Sequence, residues 1–276
     1  MPRDSIALTI LAAIAICGTQ GCKRDRADEQ LAEANAQRAL AQRHNPAALP
    51  EMRVTQVPPG ARISVDGKLD EPVWANAAST GELVNVGTGA KNTSKELGGS
   101  VRLLWTMSAL YLGIEIRDSD IRGDFEKGAV DPHLWTESTA EVMIDPDGEG
   151  DNNDYYEIQI GPQDLVFDSR FDKYNQPRVL PNGPFGHEEW SAHVKRAVAI
   201  RGTLNDSSDK DLGYTLEAEI PWVVFDKAKT VPPKFGDTWR MNFYAMRSNG
   251  GVAWSPILGE GNFHKASRFG RVLWSH

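Results

Sequence analysis

The sequence predicts an all-β fold, a sandwich or barrel of short strands, and three observations carry that reading. Beyond Val54 the chain runs in short alternating or β-branched and aromatic stretches, punctuated by Gly, Pro, Asn and Asp. Over the same residues there is no long helical period. The composition, 40% hydrophobic and 25% charged with 25 Gly and 16 Pro, suits a chain that buries a core rather than a disordered or collagen-like one. A length of 276 residues admits one large β domain with an appendage.

The appendage comes first. Arg3 precedes an apolar or small run from Ile6 to Cys17, whose 12 residues fall short of the about 20 that a membrane-crossing helix needs. A basic start before a short apolar run reads as a secretory signal peptide over 1–21. Gly21 directly before Cys22 resembles a bacterial lipobox, with Thr19 and Gln20 standing where that motif has an aliphatic and a small residue. Two outcomes stay open, lipidation of Cys22 and plain cleavage. Lys23 after the candidate anchor resembles outer-membrane sorting, so the expected location is the bacterial cell envelope, lipid-anchored, at the outer membrane or periplasmic face.

Both cysteines, Cys17 and Cys22, lie in this leader, so the domain that follows can hold no internal disulfide, thiolate metal site or cysteine nucleophile. Residues 22–51 are rich in Ala, Gln, Arg and Glu, with Leu31, Leu40 and Leu49 as large apolar residues. High helix propensity with a thin apolar face predicts a helical or frayed tether, ended by Pro46 and Pro50. The β domain is expected over 52–276.

Its predicted strands, in order, are Arg62–Val65, Glu82–Val86, Val101–Trp105, Ala109–Arg117, Ala140–Asp145, Tyr155–Gly161, Val166–Arg170, Trp190–Arg201, Leu212–Pro221, Thr238–Ser248 and Arg268–Trp274. The second pair of long runs reads as a hairpin with Leu103, Trp105, Leu110, Leu112, Ile114 and Ile116 available to a core. Pro221 can start one helical turn over Trp222–Phe225. Trp74, Trp105, Trp222, Trp239 and Trp274 lie in apolar strand or turn patterns and are expected to be structural.

Charge is unevenly spread. Lys plus Arg total 30 against 38 Asp plus Glu, a net of −8, which argues against a nucleic-acid partner. Residues 1–52 hold six basic and six acidic residues, so the whole surplus belongs to the β domain. Within it, Glu115–Glu157 carries 14 acidic residues against Arg117, Arg122 and Lys127, a local net of −11.

An ordered set of short strings follows this pattern: Ile63–Trp74 (ISVDGKLDEPVW), Val101–Trp105, Leu110-Tyr111-Leu112, Trp135 followed by Glu141–Pro146, and Tyr155–Ile158. Next come Glu217–Trp222, Gly236–Asn242, Trp254-Ser255-Pro256, and Phe263-His264 running into Arg268-Phe269-Gly270. Over about 220 residues this order resembles a family 9 carbohydrate-binding module. The resemblance implies a jelly-roll-like antiparallel β-sandwich, grouped with DOMON-type domains, that binds saccharides and frequently calcium. It places Trp135 and Phe263 on two aromatic walls and Glu141 on a hydroxyl acceptor. Gln159 falls where a sugar-binding member carries Arg, and Phe263 where it carries Trp.

A pyranose needs flat aromatic area for its C–H face and fixed polar groups for its hydroxyls. Trp135 sits in a polar loop, Asp131–Glu137, and either stacks on ligand or packs beneath the loop. Glu141 should point away from core residues at 142 and 144, as a hydroxyl acceptor or a solvated strand residue. Asn262, beside Phe263, together with Arg247 and Asn242 on the Thr238–Ser248 strand, are weaker candidates. The run Asp145–Asp154 alternates oxygen donors with Gly, as a Ca²⁺ loop does, with Asp145, Asp147, Asp151 and Asp154 as ligands; a solvated hairpin turn is the other reading.

No carboxylate stands isolated in an apolar motif as a general acid, the histidines show no metal-ligand spacing, and no Ser lies in a nucleophile elbow. Catalysis therefore has no motif behind it. The expected function is saccharide binding by a membrane-anchored, non-catalytic domain serving polysaccharide degradation or uptake. Two alternatives remain: a haem-binding redox domain drawing on Met107, Met143, Met241 or Met246, and an envelope protein-interaction domain that has lost its sugar site.

Overall fold

The structure is a computed structural model and describes residues 48–259 and 262–276. The expected signal peptide, Cys22 and most of the tether lie outside the described residues. Thirteen strands are described: β1 (Glu51–Thr55), β2 (Ala78–Ser79), β3 (Val84–Asn85), β4 (Leu97–Trp105), β5 (Ala109–Asp118), β6 (Thr139–Asp145), β7 (Asn153–Ile160), β8 (Val166–Lys173), β9 (Lys195–Arg201), β10 (Gly213–Pro221), β11 (Thr238–Arg247), β12 (Gly250–Ala253) and β13 (Gly270–Ser275). They form two sheets. The larger runs β1-β13-β11-β6-β7-β8, with β12 joined to β11 and β3 to β12; the smaller runs β2-β4-β5-β10-β9. Every strand pairing is antiparallel except β1 with β13. The expected all-β sandwich is what the chain forms.

The predicted β4–β5 hairpin pairs Trp105 with Leu110 and Leu103 with Leu112, and all six of its expected core residues are buried. Between the sheets they meet Val142, Ile144 and Ile158 of the larger sheet and Leu216 and Ile220 of β10 in one apolar cluster. Trp105, Trp222, Trp239 and Trp274 close one end of that core, edge to face at centroid separations of 5.3–6.3 Å. The predicted turn after Pro221 is a single 3₁₀ turn, Trp222–Val224.

Two predicted strands change. Arg62–Val65 forms none, because carboxylates take the backbone amides around it. Ser64 N donates to Glu71 Oε1 at 2.7 Å, and Asp66 N and Gly67 N donate to Glu217 Oε2 at 2.9 and 3.0 Å. The run from Trp190 becomes strand only at Lys195, since Ala192 N is held by Asp168 at 2.8 Å and His193 sits at φ 45°. Three strands had no sequence signal strong enough to predict them. β2 has two residues, β1 borrows its order from β13, and Gly-rich β12 follows a Ser248-Asn249 turn with both φ values positive.

β6 is buried along its whole length, which shows that the larger sheet is covered on both faces. Ala140, Val142 and Ile144 point between the sheets, while Met143 belongs to a separate outer cluster with Tyr155, Phe171, Tyr244 and Phe269. A second outer cluster gathers Leu134, Leu165, Phe167 and Phe185. Loops thus roof the outer face of β6, β7, β8 and β11, and a cavity opens beneath that roof.

Candidate functional site

The cavity holds about 570 Å³, within the range of small-molecule sites, and its floor is sheet. Register assembles the floor: Glu141 on β6 lies opposite Gln159 on β7 and Tyr244 on β11, while Glu157 lies opposite Met143. Strand parity turns Glu141, Gln159, Glu157 and Met246 to the outer face, away from Val142 and Ile158. Glu141 is 2% exposed and Gln159 1% exposed, so the expected choice between hydroxyl acceptor and solvated residue resolves to a buried cavity-lining carboxyl.

The floor is short of donors. Gln159 Nε2 donates to Glu141 Oε2 at 3.0 Å and to Glu157 Oε1 at 2.5 Å, which uses both of its N–H bonds. Glu141 Oε1 and Gln159 Oε1 are buried with no hydrogen-bond partner in the protein. Burial holds the Glu141 carboxyl well above the usual carboxylate range, with the Glu157 charge adding to the effect. Burial pushes Glu157 up to about 7, against the Gln159 hydrogen bond and the Arg178 charge. His264 lies between Tyr155 OH, 2.9 Å from Nδ1, and Glu157 Oε2, 3.5 Å from Nε2. Burial lowers it to about 3, so the ring is neutral.

Aromatic rings form the walls. Trp135 is half-buried, stacked on His133 at 4.4 Å and 17°, and edge-on to Phe167 and Phe185. It packs beneath its loop, as one of the two expected roles has it, and it also lines the cavity. Phe263 stacks on Tyr244 at 4.4 Å and 3° and also lines the cavity. Asn262 Oδ1 accepts from Tyr174 OH at 3.0 Å and from His264 N at 3.1 Å beside the same opening.

Trp135, Glu141, Gln159, Asn262 and Phe263 are therefore brought together. Arg247 is not. It differs from Met246 by one position, so it faces the other side of β11, where Nη1 meets the buried Asp118 at 2.8 Å. Asn242 is buried as well, but its side chain is spent on Tyr244 OH and on the backbone of Ser255. Missed by sequence reasoning were Glu157, His264, Asn175, Arg178 and Phe185, which line the cavity. Glu157 had a signal, its period-2 spacing from Gln159 on one strand face. The others come from loops whose folding no periodicity reports.

The acidic run 145–154 does not assemble as a ligand set. Asp145 accepts the amides of Gly148 and Gly150 at 3.2 and 2.8 Å, and burial raises its carboxyl to about 7. Asp147 Oδ1 takes the Glu149 amide, Asp151 holds Asn153, and Asp154 pairs with Lys227 at 3.3 Å. Among the described residues no group of three or more His, Cys, Asp and Glu side chains fits a metal ion. Of the methionines weighed for haem, Met143 and Met241 are core, Met107 is 64% exposed, and Met246 alone lines the cavity.

No curated protein matches the chain. Among solved structures, a protein named only as a candidate carbohydrate-binding protein of Bacteroides uniformis ATCC 8492 is similar at 19% identity and a TM-score of 0.59, covering 82% of this chain and 100% of that one. A family 9 carbohydrate-binding module from Caldicellulosiruptor kristjanssonii in complex with cellotriose is 14% identical with a TM-score of 0.49, over 82% of this chain and 93% of that one. The first of these shares the fold. The family model described as "Carbohydrate family 9 binding domain-like" matches residues 65–275, which is most of the chain, and the chain belongs to that family.

Proposed function

We propose that this protein binds a saccharide non-catalytically in the cavity roofed over the larger sheet. The observation that carries the reading is convergence: Trp135 and Phe263 line the same space as the carboxyl of Glu141 and the amides of Gln159 and Asn262. Aromatic area suits a sugar's C–H face, and buried acceptors suit its hydroxyl donors. The remaining parts of the reading come from the leader: lipidation at Cys22, a place in the bacterial cell envelope, and a role in holding or delivering glycans for degradation or uptake.

A glycan array on the full chain, followed by titration with tryptophan fluorescence, tests this function. A saturable hit is expected, and Trp135→Ala weakens it by about tenfold or more, the loss of one stacking wall. Binding unchanged in that variant sinks the site, and an array without hits sinks the function. Labelling with radioactive palmitate in wild type and in Cys22→Ala tests the anchor separately.

A further inference from the structure

The cavity floor presents two unpartnered oxygens, and with Glu141 ionised it has no free donor; without a ligand, burial favours the protonated carboxyl. Glu141 Oε1 and Gln159 Oε1 are both unpartnered and their side chains almost wholly buried, and both residues line the cavity. The floor's one donor group, Gln159 Nε2, is consumed by the two carboxyls it bridges. A sugar hydroxyl brings one donor and two acceptor lone pairs, so it leaves acceptors unmatched against this floor. An ammonium brings three donors and no acceptor, which is the complement of what the floor presents.

The charges agree with the count. Glu141 and Glu157 share one amide, and among the described residues no cation forms an ion pair with Glu141. His264, which does approach Glu157, is neutral. Tyr244 and Tyr155 stand beside the pair as phenols, Tyr244 pushed further up by burial and by Glu141. Arg178 also lines the cavity, as an exposed residue whose guanidinium lies over Phe185, 5.3 Å from the ring centroid; its charge acts on Glu157 and His264, and it forms no ion pair with Glu141. Trp135 and Phe263 add ring surface that attracts a cation as readily as it stacks on a sugar face.

Resting on the saccharide reading above, we propose that the ligand is a saccharide carrying a free amino group, an unacetylated hexosamine unit, whose ammonium sits against Glu141 and Gln159. The ring then lies between the aromatic walls, and the more exposed groups, Arg178 and Asn262, meet its hydroxyls.

Three trisaccharides with the same β-1,4 backbone make the test, since they differ only at C2: the glucosamine trimer, its N-acetylated form, and cellotriose. Calorimetric titration of the full chain near pH 7, where the Glu157 carboxyl is about half ionised, should give the free amine at least about tenfold tighter binding than either other sugar, because an ammonium facing a carboxylate replaces a neutral contact. Raising the salt should narrow that gap, and Glu141→Gln should bring the ratio of affinities towards one. Cellotriose or the acetylated trimer binding as well as the amine overturns the amino-sugar inference and leaves saccharide binding standing. A preference that survives Glu141→Gln overturns the placement of the ammonium. No binding of any trimer, with no hit on the glycan array, overturns both readings together.

Discussion

Replacing Glu157 by Gln should flatten the pH dependence of stability, and the size of the effect can be worked from the cavity floor. Glu157 is 3% exposed on β7, between Gln159 Nε2 and His264. Its carboxyl titrates at about 7 in the folded chain, against an ordinary value of 4.5. The folded state therefore binds the proton more tightly than the unfolded state, and the associated stability is full below pH 4.5 and lost as pH rises through 7. Going from pH 8 to pH 5, the two pH units below 7 at 1.36 kcal/mol each give about 3 kcal/mol gained on acidification.

Other groups contribute to the wild-type profile. Asp145, also at about 7, and Glu141 act in the same direction. His264 acts against them: it stays neutral in the fold down to about pH 3, so from 6.5 downward the unfolded chain takes up the proton first and acid costs stability. These contributions cancel to first order when the two chains are compared. Removing the Glu157 charge also frees Glu141 of its like-charged neighbour, which flattens the variant further. An amide at 157 still accepts from Gln159 Nε2, so the floor keeps its shape. Urea unfolding at pH 5, 6, 7 and 8 should show wild type gaining about 3 kcal/mol on the variant across that range. Parallel profiles, within about 0.5 kcal/mol, would refute a buried, proton-holding Glu157.

Three further outcomes test other parts of the molecule. Gly213→Ala places a Cβ 1.9 Å from the Ile116 carbonyl at φ +120°, so the β5–β10 ladder must shift; a loss of about 3 kcal/mol or more is expected in urea unfolding, and a silent substitution would count against this register. Glu217→Ala strips the partner from Asp66 N, Gly67 N and Trp74 Nε1, which bind its carboxylate at 2.9–3.0 Å. About 3 kcal/mol is at stake, or a Tm fall of roughly 6–12 °C, and a fall under about 2 °C would contradict that clamp. Since the carboxylates of the 145–154 turn are already engaged, millimolar calcium should move Tm by less than about 2 °C; a larger, saturable rise would mean the turn rearranges into a cation site.

Legibility followed periodicity. The β4–β5 hairpin, β6, β7 and β10 were readable because alternation between two faces is written directly into residue order. Arg62–Val65 misled for the opposite reason: Ser64 N within it goes to Glu71, and Asp66 N and Gly67 N just after it go to Glu217, which is distant, 151 residues from Asp66. The walls were readable as residue types, since Trp135 in a polar loop and Phe263 beside a turn are unusual places for rings. Arg247 was misplaced although parity was available, because 242 and 247 differ by an odd number and cannot share a strand face.

Glu141 shows what parity can and cannot decide. Its alternation with Val142 and Ile144 correctly sends it away from the space between the sheets, and for a sheet open to water on that side this would make it a solvated carboxylate. The outer face is instead roofed by the segments that carry Trp135, Phe185 and Phe263, none of which has a period. Roofing turns the same side chain from a hydrated charge into a desolvated acceptor with an unmet oxygen. The acidic surplus of Glu115–Glu157 divides accordingly: Asp118 goes to Arg247, Asp145 to the amides of its own turn, Asp154 to Lys227, and only Glu141 and Glu157 reach the cavity. Two carboxyls bridged by one amide leave one carboxyl oxygen and one amide oxygen of the floor without a partner, and burial keeps both carboxyls protonated to higher pH than ordinary ones.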